Sequence, residues 1–422
     1  MRFVALIIFC LLGWSCATLE EVESESGGQT SQLQVVLESP DVHSVQIHAG
    51  ENETSLPIIE LGSGLSLRLA FDLVESDSRP LTVYFYHADR EWKPDLSPSE
   101  VLSGFHNDTI QDYRSSGATV IPYVHYEYLF PNRSIDFKVS GNYILRVSEQ
   151  GREDDSLFER RFYVTEQATS VEMNLDLVMM PGRRASSIRP LVRFQPPVVN
   201  SNAFDYAVCF VRNAALESPA CIDRPTLDVL PDLAFITDRE NSFDPAPSNY
   251  FIDLSEFRTG GRIERVNQQP IPWRVEVEPD NARFPGTQLA PFINGKTVIR
   301  SANRFVNEPD YSSEYMNTVF RLIPPDAQPV PERVSLIGSF NNWTPSSRYE
   351  LHWDELNSWY EGRVLLKQGH YEYSYYSRDL EIARAMDAGL PQLRNMYTAF
   401  VYHHDLFTQS DRLIAVQSLM TE

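Results

Sequence analysis

Tyr84-Phe85-Tyr86-His87-Ala88-Asp89-Arg90-Glu91-Trp92-Lys93-Pro94 opens the segment whose reading decides the fold, and Ser140-Gly141-Asn142-Tyr143-Ile144-Leu145-Arg146-Val147 closes it. Within it Tyr123-Val124-His125-Tyr126 runs into Leu129-Phe130 and stops at Pro131-Asn132. Period-two burial followed by a turn predicts a strand. Residues 135–139 and 143–148 also read as strands, and Ser140-Gly141-Asn142 between them predicts a short antiparallel hairpin. Residues 95–105, with Pro98 near the start, have room for one or two turns of helix. Outward from here the alternation continues through Ser44-Val45-Gln46-Ile47-His48, Leu65-Ser66-Leu67-Arg68-Leu69-Ala70-Phe71 and residues 158–164. Many short strands with almost no helical period predict an all-β, antiparallel sandwich.

The same residues resemble a family. His87-x-Asp89-x-x-Trp92-x-Pro94, Leu102-Ser103-Gly104-Phe105, Tyr123-Val124-His125-Tyr126, Phe130-Pro131-Asn132, Ser140-Gly141-Asn142-Tyr143 and Arg160-Arg161-Phe162 follow one another in the order found in the first domain of the type IX secretion system plug proteins of Bacteroidota. That resemblance implies a non-enzymatic periplasmic protein. Its partner would be the giant outer-membrane β-barrel translocon, whose pore it closes when no substrate is passing. The expected docking residues are Trp92, Lys93, Phe105 and Tyr113, on the aromatic loops of this first domain.

The chain has 422 residues, enough for two to four domains with cores of their own. A net charge of −22 argues against a phosphate-backbone partner, so no nucleic acid is expected. At the N-terminus Arg2 precedes an apolar run to Leu12, then Gly13-Trp14-Ser15-Cys16. This resembles a lipoprotein signal over residues 1–16 with lipidation at Cys16; an ordinary cleaved secretory signal is the alternative. The apolar run is too short to span a hydrocarbon core of about 30 Å. Residues 17–31, rich in glutamate and glycine, read as an acidic tether behind an acyl anchor in the outer membrane. The expected location is the periplasmic face of that membrane. Acidic residues directly after the cysteine also resemble surface-export signals, which leaves the cell surface as the alternative.

Of the four cysteines, Cys10 belongs to the signal and Cys16 to the anchor, leaving Cys209 and Cys221. In an exported compartment these two are expected to form a disulfide, worth roughly 3 kcal/mol for so short a loop. Two cysteines without paired histidines do not predict a metal site.

The domains expected in sequence order are a first β-sandwich over 32–168, a middle β domain over 169–310 and a C-terminal sandwich over 311–422, giving tandem immunoglobulin-like or early-set-like units. The last one carries Gly338-Ser339-Phe340-Asn341-Asn342-Trp343 and Gly369-His370-Tyr371-Glu372-Tyr373. It resembles both the end of the plug proteins and early-set glycogen-binding modules. The second likeness implies an alternative function, a glycan-binding surface lipoprotein stacking sugars on Trp343 and Trp359. Against it, Ser377-Arg378-Asp379-Leu380 stands where those modules carry an Asp-Gly-x-Trp continuation.

No nucleophile elbow, phosphate-cradling glycine loop or His-Glu-x-x-His run is present, so neither catalysis nor a cofactor is expected. His87 and Asp89, with His106 or His125, could be drawn as a metal cluster. The simpler reading is a polar strand end beside Trp92.

Overall fold

A computed structural model describes residues 38–179, 187–198, 201–216, 219–226, 232–239, 242–243, 249–282, 291–303, 306–386 and 394–421. Every structural statement below concerns these residues. The chain is all-β.

The first sandwich is built from β1 (Val42–Ala49), β2 (Ile58–Glu60), β3 (Leu67–Leu73), β4 (Leu81–Ala88), β5 (Leu102–Gly104), β6 (Asn107–Thr109), β7 (Asp112–Ser115), β8 (Val124–Phe130), β9 (Ile135–Phe137), β10 (Gly141–Glu149) and β11 (Ser156–Thr165). One sheet runs β1-β3-β8-β7, the other β2-β11-β10-β4-β6, with β5 and β9 as a separate ribbon. Alternation sends Tyr143, Leu145 and Val147 inward from β10, against Phe85, Phe130, Phe137 and Phe162. These rings meet mostly edge to face, for instance Phe137 on Tyr143 at 4.8 Å and Phe130 on Phe162 at 5.0 Å between centroids. The opposite parity is buried as well: Ile144 and Tyr163 lie in a second apolar cluster with Phe400 and Tyr402. A strand covered on both faces loses its clean alternation, as in the unbroken apolar triplets Tyr143-Ile144-Leu145 of β10 and Phe162-Tyr163-Val164 of β11.

The expected hairpin about Ser140-Gly141-Asn142 does not form. β9 pairs with β5, whereas β10 pairs with β4 and β11. Gly141 is needed for close approach, since a Cβ there would sit 2.2 Å from His87 Nε2, and its φ of +149° is one that L side chains rarely adopt. The helical turn before β5 is a single turn, α1 (Pro98–Val101), opened by Glu100 accepting from the Ser97 amide at 2.9 Å and hydroxyl at 2.6 Å.

Beyond residue 168 follow β12 (Val171–Val178), β13 (Ser187–Phe194), β14 (Tyr206–Arg212), β15 (Ala220–Ile222) and β16 (Leu233–Ile236). Next come β17 (Tyr250–Asp253), β18 (Ile263–Asn267), β19 (Trp273–Val277), β20 (Asp280–Asn281), β21 (Val298–Ile299), β22 (Tyr315–Ile323), β23 (Ser335–Gly338), β24 (His352–Asp354), β25 (Trp359–Lys367) and β26 (Gly369–Tyr376). The chain ends with β27 (Met396–Asp405) and β28 (Ser410–Met420).

Strand pairing groups these differently from the segments 169–310 and 311–422 expected in sequence order. The second sandwich packs β12-β13-β16 against β15-β14-β27-β28, so the last two strands of the chain return to it. β14 pairs with β27 along its whole length, from Tyr206↔His403 to Arg212↔Tyr397. The third sandwich, β17-β26-β21 with β23 against β18-β19-β22-β25-β24 with β20, is inserted between β16 and β27. Local alternation marks a strand but carries no information about which distant strand it joins. The boundary at 310 therefore cuts the third sandwich, separating β19 from its partner β22.

Candidate functional site

The 89–97 loop that carries the family-like motif folds around Asp89. Its Oδ1 accepts from the amides of Glu91 and Lys93, both at 2.9 Å, and Trp92 adopts φ +67°. That turn drives the indole inward. Trp92 is 4% exposed, edge-on to Tyr163 at 5.2 Å and capped by Arg161 at 4.4 Å. It shares an apolar cluster with Cys209, Phe400, Tyr402 and Leu413 of the second sandwich, so it joins two domains and presents no surface. Polar contacts ring this junction: Tyr402 OH donates to Asn142 Oδ1 at 2.8 Å, the Arg90 amide donates to Asp411 at 3.1 Å, and Arg412 pairs with Glu166 at 2.6 Å.

A second junction, between the first and third sandwiches, closes over buried charge. Asp72, on β3, accepts from Lys367 Nζ and Tyr315 OH on Oδ2, both at 2.6 Å, and its Oδ1 faces His125 Nδ1 at 2.6 Å. Burial alone would raise this carboxyl, but Lys367 and His125 hold it below the usual carboxylate range. Lys367 also reaches the Asp310 carbonyl at 2.6 Å and lies 4.1 Å from the centre of the Tyr123 ring. Burial, together with Asp72, pushes the Tyr315 hydroxyl well above its ordinary value. Glu314 adds three hydrogen bonds, accepting from the amides of Val120, Ile121 and Tyr315. Asp72, Glu314, Tyr315 and Lys367 belong to none of the motifs read from the sequence. The available signal was a charge inside an apolar run, as in Leu69-Ala70-Phe71-Asp72-Leu73 and Val364-Leu365-Leu366-Lys367.

Of the expected docking residues, Phe105 is 71% and Tyr113 46% exposed. Phe105 lies on the link between β5 and β6, and Tyr113 is on β7. β6 and β7 are edge strands, one in each sheet of the first sandwich. Lys93 is exposed and paired with Glu91 at 2.7 Å. The Asp405–Gln409 turn between β27 and β28 carries a further apolar tip, with Leu406 64% and Phe407 fully exposed.

Cys209 and Cys221 are direct cross-strand partners on β14 and β15, and their sulfurs are bonded. Trp343 and Trp359 do not share a platform. Trp343 follows β23 and donates its indole N–H to the Gly295 carbonyl at 2.9 Å. Trp359 begins β25 in the opposite sheet, 5.0 Å from the Arg321 guanidinium, which pairs with Glu264 and Glu276. The histidines are dispersed: His87 bonds Asp95 at 2.5 Å, His106 contacts Asn107 and His125 faces Asp72. Among the described residues no group of three or more His, Cys, Asp or Glu is placed to hold a metal. No described helix is long and apolar enough to cross a membrane. Cys16 and the 17–31 tether lie outside the described residues.

Residues 42–166, the span of the first sandwich, match the family of the type 9 secretion system plug protein 1st domain. No curated protein matches the chain. The fold as a whole is similar to the crystal structure of a hypothetical protein from Parabacteroides merdae ATCC 43184, with a TM-score of 0.82 over 91% of this chain and 98% of that one, at 23% identity. A Pseudomonas fluorescens alkylpurine DNA glycosylase bound to DNA overlaps 29% of this chain and 30% of its own, at 12% identity. Its TM-score of 0.18 carries no structural argument.

Proposed function

We propose, from a chain whose first domain matches the plug family, that this protein is a non-enzymatic component of type IX secretion. It binds the outer-membrane β-barrel translocon from the periplasmic side and obstructs its pore when no substrate is in transit. The observation that carries this reading is the family match over residues 42–166. The packing is in keeping with it. A plug must stay rigid against passing solutes, and here the first sandwich is joined to the second through the Trp92 cluster and to the third through Asp72, Lys367 and Tyr315. Phe105 and Tyr113 offer the rings for docking, with Lys93 at the rim, while Trp92 holds their domain in place from within. An acyl group on Cys16 would keep the protein at the membrane and raise its local concentration near the barrel.

Pull-down of the tagged protein from outer membranes tests the reading. A very large β-barrel protein is expected to come along, and gene deletion is expected to make the outer membrane leaky to small antibiotics. Absence of the barrel together with an unaltered permeability barrier would overturn it. Within that frame, Phe105→Ala with Tyr113→Ala should lose the barrel while keeping the melting temperature. Retention of the barrel by the folded double variant would move the docking surface elsewhere, with the Phe407 tip the next to be changed.

A further inference from the structure

All three sandwiches meet at a small cavity of about 40 Å³. Gln46, Arg160 and Arg161 of the first sandwich, Leu216 of the second, and Lys296 and Trp343 of the third line it. That volume holds about three waters, or one tetrahedral oxyanion in their place.

The charges around it are out of balance. Lys296 forms one hydrogen bond, to the Ile47 carbonyl at 3.3 Å, and has no ion pair among the described residues. An ammonium has three N–H groups to satisfy, and in the half-buried Lys296 the protein engages one of them. Burial, and then the charge of Arg160, push Lys296 down to about 8. Glu53 also lines the cavity, but its carboxyl is engaged, accepting from Gln46 Nε2 and the Ile299 amide, both at 2.9 Å, and burial pushes it above the ordinary value. Of the arginines, Arg160 is paired with Glu38 and Arg161 caps Trp92 at 4.4 Å. The cavity thus gathers three cationic side chains, of which Lys296 has no ion pair among the described residues.

We propose that this three-domain cavity binds a small oxyanion, with the Lys296 ammonium as its direct ion-pair partner and Arg160 and Arg161 supplying the surrounding positive field. Residues of all three sandwiches line the space, so an anion held there ties together their relative placement. Water could fill the volume and complete the hydrogen bonds, but it would leave the charge uncompensated. The wall is too close for a macromolecule, and the shared chemistry is a compact anion of the sulfate or phosphate kind or a small carboxylate.

The test uses the mature protein and sulfate, whose charge is constant between pH 6 and pH 9.5. Binding is read by calorimetry and by thermal melting against chloride at matched ionic strength. The expected result is a saturable rise in melting temperature of at least about 2 °C at millimolar sulfate. Affinity should be full below about pH 8 and decline above it, because the deprotonated amine no longer attracts the anion. Lys296→Gln should weaken sulfate at least tenfold, and Lys296→Arg should retain part of the affinity. Acetate in place of sulfate decides the ligand class: equal or tighter binding assigns a carboxylate, weaker binding a tetrahedral oxyanion. If Lys296→Gln fails to fold, the pH profile of the unaltered protein still decides. A shift that does not saturate, that is unchanged from pH 7 to pH 9.5, or that persists in folded Lys296→Gln would overturn the proposal. Each of these results leaves the secretion reading untouched.

Discussion

Asp72 shows how one residue can fix the relation of two domains. It is fully buried and its partners Lys367 and Tyr315 come from another sandwich, so separating the domains would expose or orphan the carboxylate. Removing one member of such a pair is worse than removing both, because the remaining charge keeps its desolvation cost. Lys367→Met is therefore expected to lower unfolding stability by about 3 kcal/mol or more. Adding Asp72→Asn should recover a large part of that loss, and urea denaturation of the single and double variants gives the coupling. His43 sets a second expectation. Burial first, then Arg348 at 3.3 Å from Nε2, push its imidazole down to about 4. The folded state then binds fewer protons than the unfolded chain between about pH 4 and the ordinary value of 6.5. Stability contributed by neutral His43 is present above 6.5 and is lost as pH falls toward 4, by up to about 3 kcal/mol. His43→Gln should flatten that part of the pH–stability profile measured by urea titration; an unchanged slope would count against the burial of this ring.

At the scale of single elements, local chemistry dictated where strands lie and tertiary contact dictated what they join. The Ser140-Gly141-Asn142 stretch has the composition of a hairpin turn, yet β9 is taken by β5 and β10 by β4 and β11. Gly141 serves close approach to His87 and to the Asp411 carbonyl of the second sandwich. Gly141→Ala is expected to destabilise by about 2 to 4 kcal/mol, combining an unfavourable φ with a clash against a buried histidine. A loss of less than about 1 kcal/mol in thermal or urea unfolding would show that His87 can move aside. The disulfide is a different case. Its loop is short and the strand around Cys209 is evident from Ala207-Val208-Cys209-Phe210-Val211, so both partners were legible. Their register as opposed residues on β14 and β15 was not.

For the whole molecule the decisive feature is the return of β27 and β28 to the second sandwich after the third has been completed. Half of the sheet built around β14 is thus supplied from the other end of the chain. Ending the protein after residue 386 removes both strands, leaves β14 with an unpaired edge and uncovers Tyr206, Val208 and Phe210. The second sandwich in such a chain is expected to be unfolded or aggregated, while the first, with its own core of phenylalanines, keeps its amide-exchange protection. Protection of β12 to β16 equal to that of the full-length protein would contradict this arrangement.

The sequence by itself determined the all-β class, the position of most strands, the plug-like character of the first domain and the two cysteines that join, because each is encoded by alternation, turn residues or motif order within a short stretch. Tertiary structure alone decided that the third sandwich is an insertion, that Trp92 is interdomain packing instead of an exposed docking ring, and that Asp72, Lys367 and Lys296 meet other domains. These depend on pairings across more than a hundred residues of chain, and strand alternation states which face is buried without stating what buries it.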